Sequence, residues 1–200
     1  MVITDAALLK GRGGDPVEAC RQAVAGGATM VQARLKDATT RDLLVLARAL
    51  VHALPVPVIV NDRVDVALAA GAAGAHLGQE DPPIDRLRPH VPPGFLLGLS
   101  VGSAGEAERG SLWRADYWSI GPCFATENKA DAGAPLGPEG FATLARLAPP
   151  ATPVIAIGGI TAENAGALVR AGAAGVAVIG AVWNASDPAH AARALRASIA

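Results

Sequence analysis

Short apolar, β-branched runs recur along the chain at near-regular intervals. They are Val2-Ile3-Thr4, Met30-Val31-Gln32, Val58-Ile59-Val60, Ala75-His76-Leu77, Leu97-Gly98-Leu99, Trp118-Ser119-Ile120, Val154-Ile155-Ala156-Ile157 and Val176-Ala177-Val178-Ile179. Several are continuously apolar, as strands buried on both faces must be. Between them lie Ala-, Leu- and Arg-rich segments with helical spacing. From Arg41 to Leu54, residues Leu43, Leu44, Leu46, Ala47 and Leu50 share one broad face and leave Arg41, Asp42 and Arg48 outside it. Asp187 before Pro188 reads as an N-cap followed by proline at the first position of a helix that runs to Ile199. Thr161 with Asn164 opens another helix, and Gly172 and Gly175 bracket the turn behind it, where glycine tolerates positive φ.

Strand followed by helix, eight times over and without a long linker, predicts a single (β/α)8 barrel, the TIM-barrel form of the α/β class, spanning residues 1–200. The structural alternative is an open doubly wound sheet. A dinucleotide-binding version of it would carry G-x-G-x-x-G after the first strand, where this chain has Asp5-Ala6-Ala7-Leu8.

Composition narrows the function classes. The 200 residues are 51% hydrophobic and 18% charged with mean hydropathy +0.33, enough to bury a core without a metal or disulfide staple. Seventeen Lys and Arg against eighteen Asp and Glu leave a formal charge of −1, which disfavours a general nucleic-acid binder. Three Trp, one Tyr and three Phe leave few platforms for stacking single strands. Cys20 and Cys123 form no CxxC pair, and the chain opens without a basic segment followed by an apolar one. The long uncharged stretch from Ala171 to Ser186 is interrupted by glycine and falls short of the roughly 20 apolar residues that span a bilayer. A reduced, soluble, cytoplasmic protein is expected.

A barrel places its chemistry at the carboxyl ends of its strands. Of the three lysines, Lys10, Lys36 and Lys129, the last two fall just after predicted strands two and six. In Gln32-Ala33-Arg34-Leu35-Lys36 the two-residue period turns Gln32, Arg34 and Lys36 the same way; turned inward, they suit a polyanion. Asn61-Asp62 ends strand three and Gln79-Glu80-Asp81 ends strand four. Two neighbouring aspartates repel unless a cation lies between them, and Mg²⁺ commonly takes one or two carboxylates together with phosphate oxygens. The plainer alternative is that each aspartate caps the helix behind it. Gly158-Gly159-Ile160 after strand seven and Ile179-Gly180 after strand eight offer backbone amides at the usual phosphate corner of this fold. The long exit from strand six, Gly121 to Lys129, reads as a binding loop or lid, with Lys129 able to reach a leaving phosphate. Cys123 reads as packed, His76 as a core residue, and His52, His90 and His190 as surface.

These stretches together resemble the thiamine phosphate synthase (thiamin-phosphate pyrophosphorylase) family from Val2 nearly to the C-terminus. The resemblance rests on Gln32 to Asp37, Val60 to Asp65, His76 to Asp81, Gly98-Leu99-Ser100, Gly121-Pro122 through Asp131, and Ala156 to Ile160. It implies a transferase that joins 4-amino-2-methyl-5-hydroxymethylpyrimidine diphosphate to 4-methyl-5-(2-phosphoethyl)thiazole, giving thiamine phosphate and pyrophosphate. By the same resemblance the pyrophosphate leaves first, and the resulting cation is captured by the thiazole nitrogen. Gln32, Arg34, Lys36 and Asn61 would hold the pyrimidine diphosphate, and Asp62 and Asp81 the Mg²⁺. Ser100 and Lys129 would contact the leaving pyrophosphate, which with Arg34 makes them the expected catalytic residues. Thr126, Asn128, Gly159, Ile179 and Gly180 would surround the thiazole phosphate. The expected partners are these small molecules, with neither nucleic acid nor membrane, and a homo-oligomer is left open.

The chain departs from the family pattern in places. Ala33 and Leu35 replace Leu and Glu of the usual Gln-Leu-Arg-Glu-Lys, at positions facing away from the site. Asn128 stands where a second threonine is usual and Gly180 where serine is usual, both at the thiazole phosphate corner. Three alternatives remain. A sister group of thiazole tautomerases carries a histidine two residues after the strand-five serine, where this chain has Gly102. A silent homologue would bind thiamine intermediates without turnover. A sugar-phosphate isomerase barrel would account for Gly158-Gly159 but not for the paired aspartates.

Overall fold

A computed structural model of the chain describes residues 1–5, 11, 14–36, 38–126 and 133–200. Among them run eight strands: β1 (Val2–Ile3), β2 (Val31–Ala33), β3 (Val58–Asn61), β4 (Gly74–Leu77), β5 (Leu96–Val101), β6 (Tyr117–Ile120), β7 (Val154–Ile157) and β8 (Gly175–Ala177). Each pairs in parallel with the next. A parallel bridge between Val2 and Val178 joins the last strand to the first. There the Ile3 amide donates to the Val178 carbonyl at 2.9 Å and the Val178 amide to the Met1 carbonyl at 3.1 Å. The sheet therefore closes into the expected barrel, and every predicted apolar run supplies a strand.

The described helices lie between successive strands or at the end of the chain: α1 (Pro16–Ala25), α2 (Thr40–Ala53), α3 (Val64–Ala70), α4 (Ile84–Leu87), α5 (Ala104–Gly110), α6 (Gly137–Ala145), α7 (Ala162–Arg170), α8 (Gly180–Trp183) and α9 (Pro188–Ser198). Their starts follow local chemistry. The Asp187 carboxylate accepts from the His190 amide at 3.0 Å, and Thr161 and Asn164 form a reciprocal capping box. In α2, Leu43, Ala47 and Leu50 are buried while Leu44 and Leu46 are half-buried, so the apolar face is narrower than its spacing suggests. Behind α7, Gly172 has φ 101°, whereas Gly175 opens β8 without positive φ.

Strand alternation separates two apolar regions. Val31, Val58, Val60, Ala75, Leu97, Leu99, Trp118, Ile120, Val154 and Ala156 belong to one continuous core with the helices. Residues of the other parity fill the barrel. The register aligns Gln32 with Ile59, and Asn61 with His76, Gly98 and Tyr117. One step nearer the carboxyl ends, Ser100 lies opposite Ser119, which lies opposite Ile155. Ile3, Ile59, Tyr117 and Ala177 are buried yet stand outside the helix-facing core. Apolar contacts thus hold the shell, while the interior on the β3–β6 side becomes polar toward the carboxyl ends of the strands.

Candidate active site

The strand ends assemble unequal halves of one mouth. On the β2–β5 side the groups are charged and polar side chains. Gln32 is buried, with Nε2 3.7 Å from Met1 Sδ. Regular pairing in β2 ends at Ala33, and the next turn is held by Thr4, whose Oγ1 accepts from the Arg34 amide at 2.8 Å and donates to the Arg34 carbonyl at 2.9 Å. The Arg34 side chain is 12% exposed and pairs with Asp5 at 3.5 Å. Lys36 lies farther out and is exposed.

Asp62 follows Asn61 in the left-handed region at φ 61°, a conformation that aspartate tolerates better than most residues. Its amide donates to the His76 carbonyl at 2.8 Å, tying the turn to β4. Asp81 reaches the same place from β4, its Oδ2 accepting from the Gly78 amide at 2.7 Å. The two carboxyl groups come within hydrogen-bonding reach of each other, with Arg34 close enough to act on Asp62 through its charge. Although Asp62 as a residue is exposed, crowding of its carboxyl by the protein and then the Asp81 carboxylate push its pKa up to about 6, against the opposing pull of Arg34 and the Asn61 amide. Neither aspartate caps a helix: α3 is preceded by Arg63 and α4 by Pro83, without side-chain caps. The capping alternative is therefore excluded at both positions. Two adjacent carboxylates, partly deprived of water and lacking a full countercharge, are a donor set of hard oxygens that fits a small divalent cation. Among the described residues no group of three or more acidic, His or Cys side chains gathers as a metal cage, so a cation here would take its remaining ligands from substrate or water.

Ser100 closes this half from β5, its Oγ 2.9 Å from His76 Nε2. His76 is 6% exposed, and its Nδ1 lies 3.0 Å from Tyr117 Oη; burial lowers its pKa to about 4, so the ring is neutral. Gln79 donates from Nε2 to the Ser100 carbonyl at 2.7 Å, and Glu106 accepts from the Gly102 amide at 2.6 Å.

The β6–β8 half is built from backbone. After β6 the chain lies against the end of β7, the Cys123 amide donating to the Ile157 carbonyl at 2.8 Å and the Phe124 amide to the Gly158 carbonyl at 2.9 Å. Gly158 and Gly159 have φ 95° and 62°. A Cβ at Gly159 would overlap the Ala125 carbonyl and approach Phe124 to 2.8 Å, so glycine is required for this approach as well as for the turn. Thr126 is half-buried, and Ile179 and Gly180 start α8 just after β8, the strand paired with β7. Asn128 and Lys129, expected to meet the thiazole phosphate and the pyrophosphate, lie outside the described residues. Cys123 is fully buried with its thiol pushed up to about 11, principally by burial, as suits a packed residue.

Sequence reasoning passed over Tyr117 and the Gln79 and Glu106 contacts; its reading of His76 as a packed or hydrogen-bonded core residue holds, without the partners Tyr117 and Ser100. A usable signal was present. His76 and Tyr117 stand at interior parity on strands adjoining Ser100, and Gly98 between them leaves the room that a side chain would fill.

The family model for thiamine monophosphate synthase matches residues 1–182. The chain is 47% identical to a thiamine-phosphate synthase of Methanoculleus marisnigri, covering 100% of this chain and 94% of that protein. It is 48% identical to one of Roseiflexus sp., covering 89% and 76% respectively. Its structure is similar to that of a thiamine phosphate pyrophosphorylase from Pyrococcus furiosus, with TM-score 0.86 and 37% identity over 99% of this chain and 93% of that one.

Proposed function

The chain belongs to the thiamine monophosphate synthase family and is a transferase of that family, and from this premise we propose how its residues join the pyrimidine diphosphate to the thiazole phosphate. The observation that carries the reading is the meeting of Asp62 and Asp81 beside Arg34. Asp62 and Asp81 would hold Mg²⁺, which when bound supplies the charge that lets a diphosphate depart. Arg34, half-buried and already oriented by Asp5, adds a fixed positive charge on the same side. Gln32 and Asn61 orient the pyrimidine, whose 4-amino group stabilises the methyl cation left when the C–O bond to the diphosphate breaks. Ser100 and Lys129 meet the leaving pyrophosphate, and Lys36 adds charge at the rim.

The second substrate belongs to the other half. Backbone amides at Gly159 and Gly180, with Ile179, Thr126 and Asn128, hold the thiazole phosphate so that its ring nitrogen faces the cation. The nitrogen lone pair forms the new C–N bond, and no proton has to be removed from it. Catalysis is then alignment of two rings and neutralisation of a departing polyanion.

A coupling assay with both substrates and Mg²⁺ tests this. Thiamine phosphate should form in a metal-dependent way and drop sharply in Asp62→Ala and Lys129→Ala. Turnover of a thiazole carboxylate tautomer without coupling would replace the reading with an isomerase, and tight binding of both substrates without product would replace it with a carrier.

A further inference from the structure

Beneath the mouth, Tyr117, His76 and Ser100 form a continuous hydrogen-bonded chain across β6, β4 and β5. Tyr117 Oη lies 3.0 Å from His76 Nδ1, and His76 Nε2 lies 2.9 Å from Ser100 Oγ. The two rings stack with centroids 5.4 Å apart and planes at 25°. Tyr117 and His76 are buried, while Ser100 is half-buried and opens toward the mouth. The arrangement depends on Gly98, since a Cβ there would overlap Tyr117 Cζ and Oη and crowd His76 Nδ1.

The direction of the chain follows from counting protons. A neutral imidazole carries one donor and one acceptor, whereas a hydroxyl can serve as either. Tyr117 keeps its proton, because burial and then the Asp116 charge raise its pKa well above the ordinary value. A buried phenol proton must be donated, since leaving it unmade is costly. Among the described residues the acceptor on hand is His76 Nδ1. His76 therefore carries its own proton on Nε2 and donates it to Ser100 Oγ. With that lone pair engaged, the Ser100 hydroxyl hydrogen cannot turn back toward the histidine.

We infer that Tyr117 and His76 are positioning residues that fix the Ser100 hydroxyl as a hydrogen-bond donor into the mouth, aimed at an oxygen of the departing diphosphate. This rests on the reading above that Ser100 meets that group. The opposite polarity would present the diphosphate with serine lone pairs, which repel a polyanion. Pre-set polarity matters most as negative charge gathers on the leaving group, so its loss should appear in kcat rather than KM.

Two measurements test the inference. Long-range ¹H–¹⁵N NMR of the full chain reads the His76 tautomer without reference to any reaction. The expected result is a ring protonated on Nε2, and a ring protonated on Nδ1 overturns the relay. Steady-state coupling kinetics of Tyr117→Phe, Ser100→Ala and the double variant then test whether the phenol acts through serine. Tyr117→Phe should lower kcat about tenfold and change either KM less than about twofold, Ser100→Ala should lower kcat about 100-fold, and the double variant should match Ser100→Ala. A tenfold loss repeated in the Ser100→Ala background would make Tyr117 merely structural and overturn the inference. Wild-type protein that forms no thiamine phosphate would remove the functional reading, and the NMR tautomer would then decide the relay by itself. Should Tyr117→Phe fail to fold, the wild-type tautomer again decides.

Discussion

The two halves of the mouth are built by different means, and under the proposed function each would meet a different phosphate. From β2 to β5 the groups are side chains: Arg34, Asn61, Asp62, Asp81 and Ser100. From β6 to β8 they are mainly glycine turns and amides at Gly158, Gly159 and Gly180. In the proposed function the first half would serve a group whose charge changes during reaction, because acidic and cationic side chains can hold a metal and a diphosphate and then release them. The second half suits a phosphate that stays unchanged, for which fixed dipoles suffice. Electrostatic tension lies in the first half, where the Asp62 carboxyl is driven up to about 6, whereas positive φ occurs in both, at Asp62 in the first and at Gly158 and Gly159 in the second, where close packing leaves room for glycine alone.

This division predicts that substitutions on the two sides fail differently. The largest effect is expected from Asp62→Asn, which keeps the left-handed turn but removes one charge. Coupling activity should fall about 10³-fold, while isothermal titration should show thiazole phosphate binding unchanged. Thermal denaturation without Mg²⁺ should place the variant at or above wild type, because a like-charge contact has been relieved. A metal-free melting point well below wild type would mean that Asp62 serves the fold.

Gly159→Ala probes the other half. It forces a side chain into the approach of the β6 loop and into positive φ, so about 2 kcal/mol of stability should be lost, roughly 4–8 °C in melting temperature for a chain of this size. KM for the thiazole phosphate should rise about tenfold, and magnesium-dependent pyrophosphate binding, read by calorimetry, should be spared. Equal damage to both ligands would erase the division.

The polar interior behind the charged half gives a pH signature. His76 has its pKa lowered from 6.5 to about 4, so between these values the unfolded chain binds a proton that the folded one does not. The stability that neutral His76 contributes is fully present above about pH 6.5 and is lost as the pH falls toward 4. Melting temperature plotted against pH should decline more steeply across this window in wild type than in His76→Gln; parallel curves would place the titration elsewhere. The smallest effect belongs to Gly180→Ser, which introduces the serine that the family resemblance leads one to expect and adds a hydroxyl at the proposed thiazole phosphate corner. A roughly threefold to fivefold lower KM for the thiazole phosphate is expected, worth about 1 kcal/mol, and an unchanged KM would remove Gly180 from that subsite.

The same contrast decides how much could be read in advance. Eight apolar runs mark eight strands because a strand covered on both faces admits little else, and the Asp187–Pro188 and Thr161–Asn164 helix starts follow from local capping. The meeting of Asp62 and Asp81 was legible because they follow neighbouring strands of a parallel barrel, whose carboxyl ends bring such side chains together. The β7 corner was only half legible: Gly158-Gly159 announces a turn, but its fit against Phe124 and Ala125 depends on a loop contributed from elsewhere in the chain. The polarity of Tyr117, His76 and Ser100 was not legible at all. It depends on register across three strands separated in sequence and on the room at Gly98, which no local pattern encodes.

The claim on which both halves depend is that the aspartate pair grips pyrophosphate through magnesium. Calorimetric titration of pyrophosphate into wild type and Asp62→Asn, each with and without Mg²⁺, addresses it without needing turnover. Binding should be strong for wild type with Mg²⁺ and at least tenfold weaker when either the metal or the Asp62 charge is removed. Equal affinity in all four titrations would contradict it.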